Sequence, residues 1–142
     1  MFKKILVPTD ASDYSRRALQ NALELARVFH AEIELLFVMY IPEMNWNFND
    51  AYNFVIPTEE VEKGGEMALE ATLKGIDIGD VQLKKKKAEG HPASIILEEI
   101  ETEGIELVVM GSHGYGPITG SVLGSVSQNV LHRAKCPVLI VK

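Results

Sequence analysis

Four short apolar runs and a fifth, lysine-rich one are separated by helical patterns, and this alternation limits the fold more than anything else in the chain. The runs are Lys3 to Pro8, Ala31 to Tyr40, Val81 to Ala88, Ile105 to Met110 and Pro137 to Val141. Consecutive apolar residues such as Ile5-Leu6-Val7 or Leu35-Leu36-Phe37-Val38 read as strands buried on both faces. The segments between them carry apolar residues at helical spacing. Ala18, Leu19, Ala22, Ala26 and Phe29 mark the first helix, opposite Arg16, Arg17, Gln20 and Arg27. Ala93, Ile96, Leu97 and Ile100 mark the third, with Glu98, Glu99, Glu101 and Glu103 expected outside. Leu123, Val126, Val130 and Leu131 mark the last. The order βαβαβαβαβ implies an α/β fold, a parallel sheet with helices on both faces.

Local signals agree with this reading. Ser12 is placed to cap the first helix and Thr58 the second, where Glu59 and Glu60 suit the positive end of the dipole. Gly64-Gly65 weakens the second helix by about 1 kcal/mol per glycine, and Gly75 is a natural stop. Pro92 suits the first turn of the third helix. Lys84 to Lys87 would alternate between the two faces of a strand. Such lysines guard an exposed sheet edge more often than they bind nucleic acid.

The stretch from Met110 to Ser127 is where chemistry concentrates. Glycines 111, 114, 116, 120 and 124 fall within fourteen residues, after an apolar run and before a helix. Glycine lets backbone N–H groups turn toward an anion and lets the anion come close. A helix starting at Gly124-Ser125 would aim its leading N–H groups into the same space. The physical reading is a phosphate cradle; a plain flexible loop is the alternative. Two familiar cradles do not fit. The chain has no Gly-Lys pair for a P-loop, and the sixth position from Gly114 is Thr119 rather than the glycine of a dinucleotide fingerprint.

The spacing Gly111-x2-Gly114-x9-Gly124-Ser125 resembles the nucleotide-binding signature of the universal stress protein family. The opening Lys3-Lys-Ile-Leu-Val-Pro-Thr-Asp-Ala-Ser12 and the closing segment from Gly124 to Val141 are similar to that family's ends. The resemblance covers the chain apart from residues 41–57, and it implies a Rossmann-like three-layer sandwich with strand order 3-2-1-4-5. It implies that Asp10 contacts a ribose, that Pro8 and Thr9 shape the adenosine end, and that the backbone near Val38 lies against adenine. Gly111, Gly114 and Gly124 would then give room and donors for the phosphates, with the Ser125 hydroxyl and the N–H groups of Ser125 and Val126, while Met110 and His113, the latter inside the loop, would also border the nucleotide. Family members often carry a basic residue where this chain has Tyr115, so ATP and AMP both stay open as ligands. Magnesium or manganese could accompany a triphosphate, although no set of protein ligands for a metal is visible. The resemblance also implies a homodimer paired through Val138 to Val141, and it puts His91 near the site unless His91 is an ordinary turn residue.

Length and charge set the remaining bounds. The chain has 142 residues, expected to form one domain over 1–142, and a formal net charge of −6, which disfavours nucleic acid and anionic membranes. It shows no run of about 18 apolar residues and no signal-peptide pattern. With Cys136 as its single cysteine, the expected location is the cytoplasm. No catalytic residue is assigned, because no nucleophile elbow, zinc-binding helix or cysteine nucleophile pattern occurs. Three functions stay open. The first is a dimeric regulatory module that binds ATP. The second is a slow ATPase in which His113 or Asp10 assists water. The third is a nucleotide-free interaction protein using Trp46, Phe48, Tyr52 and Phe54, in a segment long enough to be a lid or a partner surface.

Overall fold

The computed structural model describes residues 1–41, 58–114 and 123–142. The aromatic segment 42–57 and the loop tip with Tyr115, Gly116 and Gly120 lie outside the described residues. The elements alternate as β1 (Lys4–Thr9), α1 (Asp13–Phe29), β2 (Glu32–Tyr40), α2 (Thr58–Leu73), β3 (Leu83–Gly90), α3 (Pro92–Thr102), β4 (Leu107–Gly111), α4 (Ser125–Arg133) and β5 (Val138–Val141). The strands form one parallel sheet in the order β3-β2-β1-β4-β5. From β1 the chain steps outward to β2 and β3, then returns to the far side of β1 for β4 and β5. Right-handed crossovers in opposite directions send the two helix pairs to opposite faces.

Strand alternation divides the core accordingly. Ile5, Val7, Ile33, Leu35, Leu107 and Val109 pack with Ala18, Leu19, Ala22 and Leu23 of α1 and Leu69 of α2. Leu6, Leu36, Val108 and Met110 point the other way, toward Ile96 and Ile100 of α3 and Val130 of α4. β1 is central, and Ile5, Leu6 and Val7 are fully buried.

Helix boundaries follow their caps. The Ser12 hydroxyl accepts from Ser15 N–H at 3.3 Å, starting α1 as its sequence indicates. Thr58 lies inside α2 rather than before it. Gly75, in the left-handed region at φ +74°, lies just past the end of α2. Gly64 and Gly65 have a packing reason. A Cβ on Gly64 would lie 3.1 Å from Met39 Cε, and one on Gly65 would lie 2.7 Å from Lys87 Cδ, so the pair lets α2 ride low over β2 and β3.

Other expectations need correction, among them the start of β4, which lies at Leu107 rather than Ile105 because Ile105 N–H still bonds to Ile100 C=O at the end of α3. β3 begins at Leu83, two residues later than expected, because Val81 N–H closes a turn onto Ile78 C=O and its side chain packs against the core. Leu131 is 41% exposed; with α4 starting at Ser125, its inward face is set by Ser127 and Val130. Glu99, expected outside, is buried. Its partners are Lys86 on β3, whose Nζ is 2.5 Å from Glu99 Oε1, and Glu34 on β2. The lysine run does sit on an edge strand and does alternate. Lys86 turns toward α3, while Lys87 turns toward α2 and pairs with Glu66 at 3.2 Å.

Candidate functional site

The reversal of strand order between β1 and β4 opens a crevice beyond their carboxyl ends, the usual ligand position in such sheets. β1 keeps its register with β2 from Lys4 to Thr9, but with β4 only at Ile5 and Leu6. Pro8 has no N–H to offer, and the two central strands part before reaching it. A cavity of about 340 Å³ fills the gap, within the ~300–1,000 Å³ range of small-molecule sites.

All eleven residues singled out from the sequence line this cavity. Pro8, Thr9 and Asp10 come from the end of β1, and Val38 from β2. Met110 and Gly111 end β4, and His113 and Gly114 follow. Gly124, Ser125 and Val126 form the start of α4. Six more residues join them: Ser15, Leu36, Tyr40, Pro92, Ile96 and Ser127. Leu36 and Ile96 read in the sequence as ordinary core, which no local pattern separates from a cavity wall. Ser15 and Ser127 each sit three residues after a capping residue, and that spacing is the one signal that could have flagged them.

The β1 end is rigid. Thr9 is buried, its hydroxyl 2.7 Å from that of Thr72 on α2, and it also accepts Ala11 N–H at 2.9 Å. Asp10 Oδ1 accepts Ser12 N–H at 2.9 Å and the Ser15 hydroxyl at 3.2 Å. This is an Asx turn, and it holds Ala11 at a φ of 67°, a conformation few non-glycine residues adopt. The same carboxylate faces Gly114, where any Cβ would overlap Asp10 Oδ2. Gly111 is needed for a different reason. A Cβ there would lie 2.7 Å from Tyr14 Cβ and 2.9 Å from its carbonyl carbon, so Gly111 lets the first turn of α1 press onto β4.

One carbonyl ties the two ends of the glycine loop together. Ser112 C=O accepts Gly124 N–H at 2.8 Å and the Ser127 hydroxyl at 2.9 Å, while Ser112 N–H donates to Val141 C=O. Gly124 is the N-cap of α4 and brings no capping side chain. The first intrahelical bond runs from Gln128 N–H to Gly124 C=O, so Ser125, Val126 and Ser127 carry the helix's leading donors at the cavity wall. A Cβ on Gly124 would sit 3.4 Å from Ser112 O and 3.5 Å from His113 Cα. His113 itself is placed by Nδ1, 2.9 Å from the Ser112 hydroxyl, and by its ring against Tyr14, over which Arg17 stacks at 4.7 Å.

The cavity therefore has two ends. Leu36, Val38, Ile96 and Met110 make one apolar. Asp10, Gly114 and the start of α4 make the other polar, with dipoles suited to an anion. Among the described residues, no group of three or more His, Cys, Asp or Glu side chains is arranged to hold a metal ion.

Comparison with known proteins places this architecture. A family model described as "Universal stress protein family" matches residues 1–142. The chain is 35% identical over 156 residues to universal stress protein YxiE of Bacillus subtilis, covering the full length of both. The structure of protein MJ0577 of Methanocaldococcus jannaschii superposes with a TM-score of 0.81 at 30% identity, covering 100% of this chain and 96% of that one. A universal stress protein in complex with cAMP matches with a TM-score of 0.67 at 25% identity, over 99% of this chain and 96% of that one. The chain belongs to the universal stress protein family.

Proposed function

We propose that this protein is a regulatory module that binds ATP or a related adenine nucleotide, as in the ATP-binding branch of its family. The observation that carries the reading is the two-ended cavity, with its uncapped helix start and with Gly114, whose Cβ would overlap Asp10 Oδ2. The cAMP complex of a similar protein supports it. The base lies in the apolar end against the Val38 backbone, between Leu36 and Ile96. Pro8 and Thr9 shape the adenosine end, and Asp10, already fixed by its Asx turn, takes the ribose. Gly111, Gly114, Gly124 and Ser125 border the phosphates, with the Ser125 and Val126 N–H groups as donors. Magnesium or manganese, where present, is held mainly by the phosphates.

The active species in this proposal is a cytoplasmic homodimer. β5 lies on the sheet edge, with Leu139 39% exposed, ready to pair with its copy from Val138 to Val141. Nucleotide occupancy would regulate partners only if two states of the protein differ in affinity for it.

The test begins by denaturing freshly purified protein and identifying any released nucleotide by chromatography and mass. The same protein is then titrated calorimetrically with ATP and magnesium, beside Gly114→Ala. The variant is expected to lose affinity by ~10-fold or more, because its methyl displaces the Asp10 carboxylate. Absence of heat and of thermal stabilisation at millimolar ATP would sink the proposal and leave an interaction module. Turnover that survives repurification and vanishes in Gly114→Ala would instead mark a slow ATPase.

A further inference from the structure

At the opposite end of the sheet from the cavity, the α3 face carries charged groups where a core would be expected. Glu34 of β2 and Glu99 of α3 are each only 7% exposed, and their carboxyl groups lie against one another. Two carboxyl groups can bond directly only when one keeps its proton. Glu99 is the group the lysines favour: Lys86 Nζ lies 2.5 Å from its Oε1, and also 3.5 Å from Glu103. Glu34 has no such partner. Its Oε1 is fully buried and accepts no hydrogen bond among the described residues. An unpaired carboxyl C=O is tolerable there, whereas an unpaired carboxylate oxygen is far more costly.

We propose that Glu34 and Glu99 share a single proton, and that this acid pair is a pH-dependent fastener joining α3 to the β2–β3 edge, released as the medium passes from mildly acidic to neutral.

The charged groups around Glu34 come from every neighbouring element. β3 contributes Lys84, its register partner, and Lys86; α3 contributes Glu99 and Glu103. β1 contributes Lys4, which bonds to Glu103 C=O at 3.1 Å, and Glu32 precedes on β2. A cavity of about 210 Å³, lined by Lys4, Glu32, Glu34, Lys84 and Glu103, opens on the Glu34 side of the pair. Burial, then the bond to Glu99 and its charge, push the Glu34 carboxyl up to about 7, against the opposing pull of Lys86 and Lys84. For Glu99, burial acts upward, but the bonds from Glu34 and Lys86 outweigh it and hold the carboxyl below its ordinary value.

The sign of the pH effect follows. The folded chain binds a proton at Glu34 that the unfolded chain releases above its ordinary value of 4.5. This stability is fully present below 4.5, falls as the pH rises toward about 7, and levels off above it. Glu99 acts in the opposite sense and only at acid pH, because its folded value lies below the ordinary one.

The experiment is thermal unfolding of the whole chain and of Glu34→Gln at intervals between pH about 4.5 and about 8.5. The substituted amide can donate to Glu99 as the protonated acid does, but it cannot ionise. The natural chain is expected to lose stability up to neutrality and then level off. Glu34→Gln is expected to lack this decline and to be the more stable of the two above neutral pH. Hydrogen exchange of α3 and β3 amides should quicken severalfold above neutrality, beyond its intrinsic pH dependence, in the natural chain only. Parallel curves for the two proteins, or a variant weaker by the same amount at every pH, would overturn the proposal. If Glu34→Gln does not fold, carboxyl carbon NMR of the natural chain decides. One glutamate titrating near neutral pH, and assigned to Glu34, supports the shared proton. Titration of every glutamate in the ordinary range refutes it.

Discussion

Two glycines of one motif do different physical work. Gly114 faces the Asp10 carboxylate across the cavity mouth, whereas Gly111 faces the backbone and Cβ of Tyr14. A methyl at Gly111 meets atoms that cannot swing aside, so α1 must lift from β4. Gly111→Ala is expected to lower unfolding stability by about 1–3 kcal/mol, the range for overpacking a tight contact, measured by denaturant titration. Gly114→Ala should cost less stability and more nucleotide affinity. Equal stability losses in the two variants would refute this division. The spacing of the motif was legible in the sequence, but the atoms each glycine meets were not, because Tyr14 and Asp10 lie near the other end of the chain. Glu99 makes the same point from the other side. Its position among Glu98, Glu101 and Glu103 reads as a solvated face, and only the arrival of Glu34 and Lys86 makes burial possible.

At the scale of elements, local preference and packing pull against each other in α2. Gly64 and Gly65 cost helix stability, yet they let α2 lie close to Met39 and Lys87. At Gly64 the obstructing atom is the end of a methionine, which can move. Gly64→Ala is therefore expected to stabilise the protein by about 0.5–1 kcal/mol through helix propensity, seen as a raised thermal midpoint. A loss of stability would mean that Met39 is held too firmly to yield. Strand boundaries show the same competition. Val81 reads as a strand residue, but Gly79, at φ +56° and with its N–H accepted by Asp77, turns the chain there and delays β3 to Leu83.

On the scale of the whole molecule, the sheet leaves two edges and treats them differently. The β3 edge is lined with lysines, which discourage pairing, while β5 presents Val138 to Val141 without a single charge. Leu139→Lys is expected to turn the proposed dimer into a monomer in sedimentation experiments while leaving the fold intact by circular dichroism. A natural chain that is already monomeric, or a variant that still dimerises, would rule out pairing through β5. Among the described residues, no helix is long and apolar enough to cross a membrane. The sequence by itself determined the alternation of strands and helices, the Ser12 cap, the lysine edge and the glycine spacing, because each is a local pattern of side-chain size, charge or backbone freedom. The tertiary structure alone decided that eleven residues from four parts of the chain line one cavity, that Ser112 C=O ties both ends of the loop, and that two acids meet under α3. Those depend on which strands become neighbours, and a parallel sheet sets its neighbours through long crossovers that no local pattern encodes.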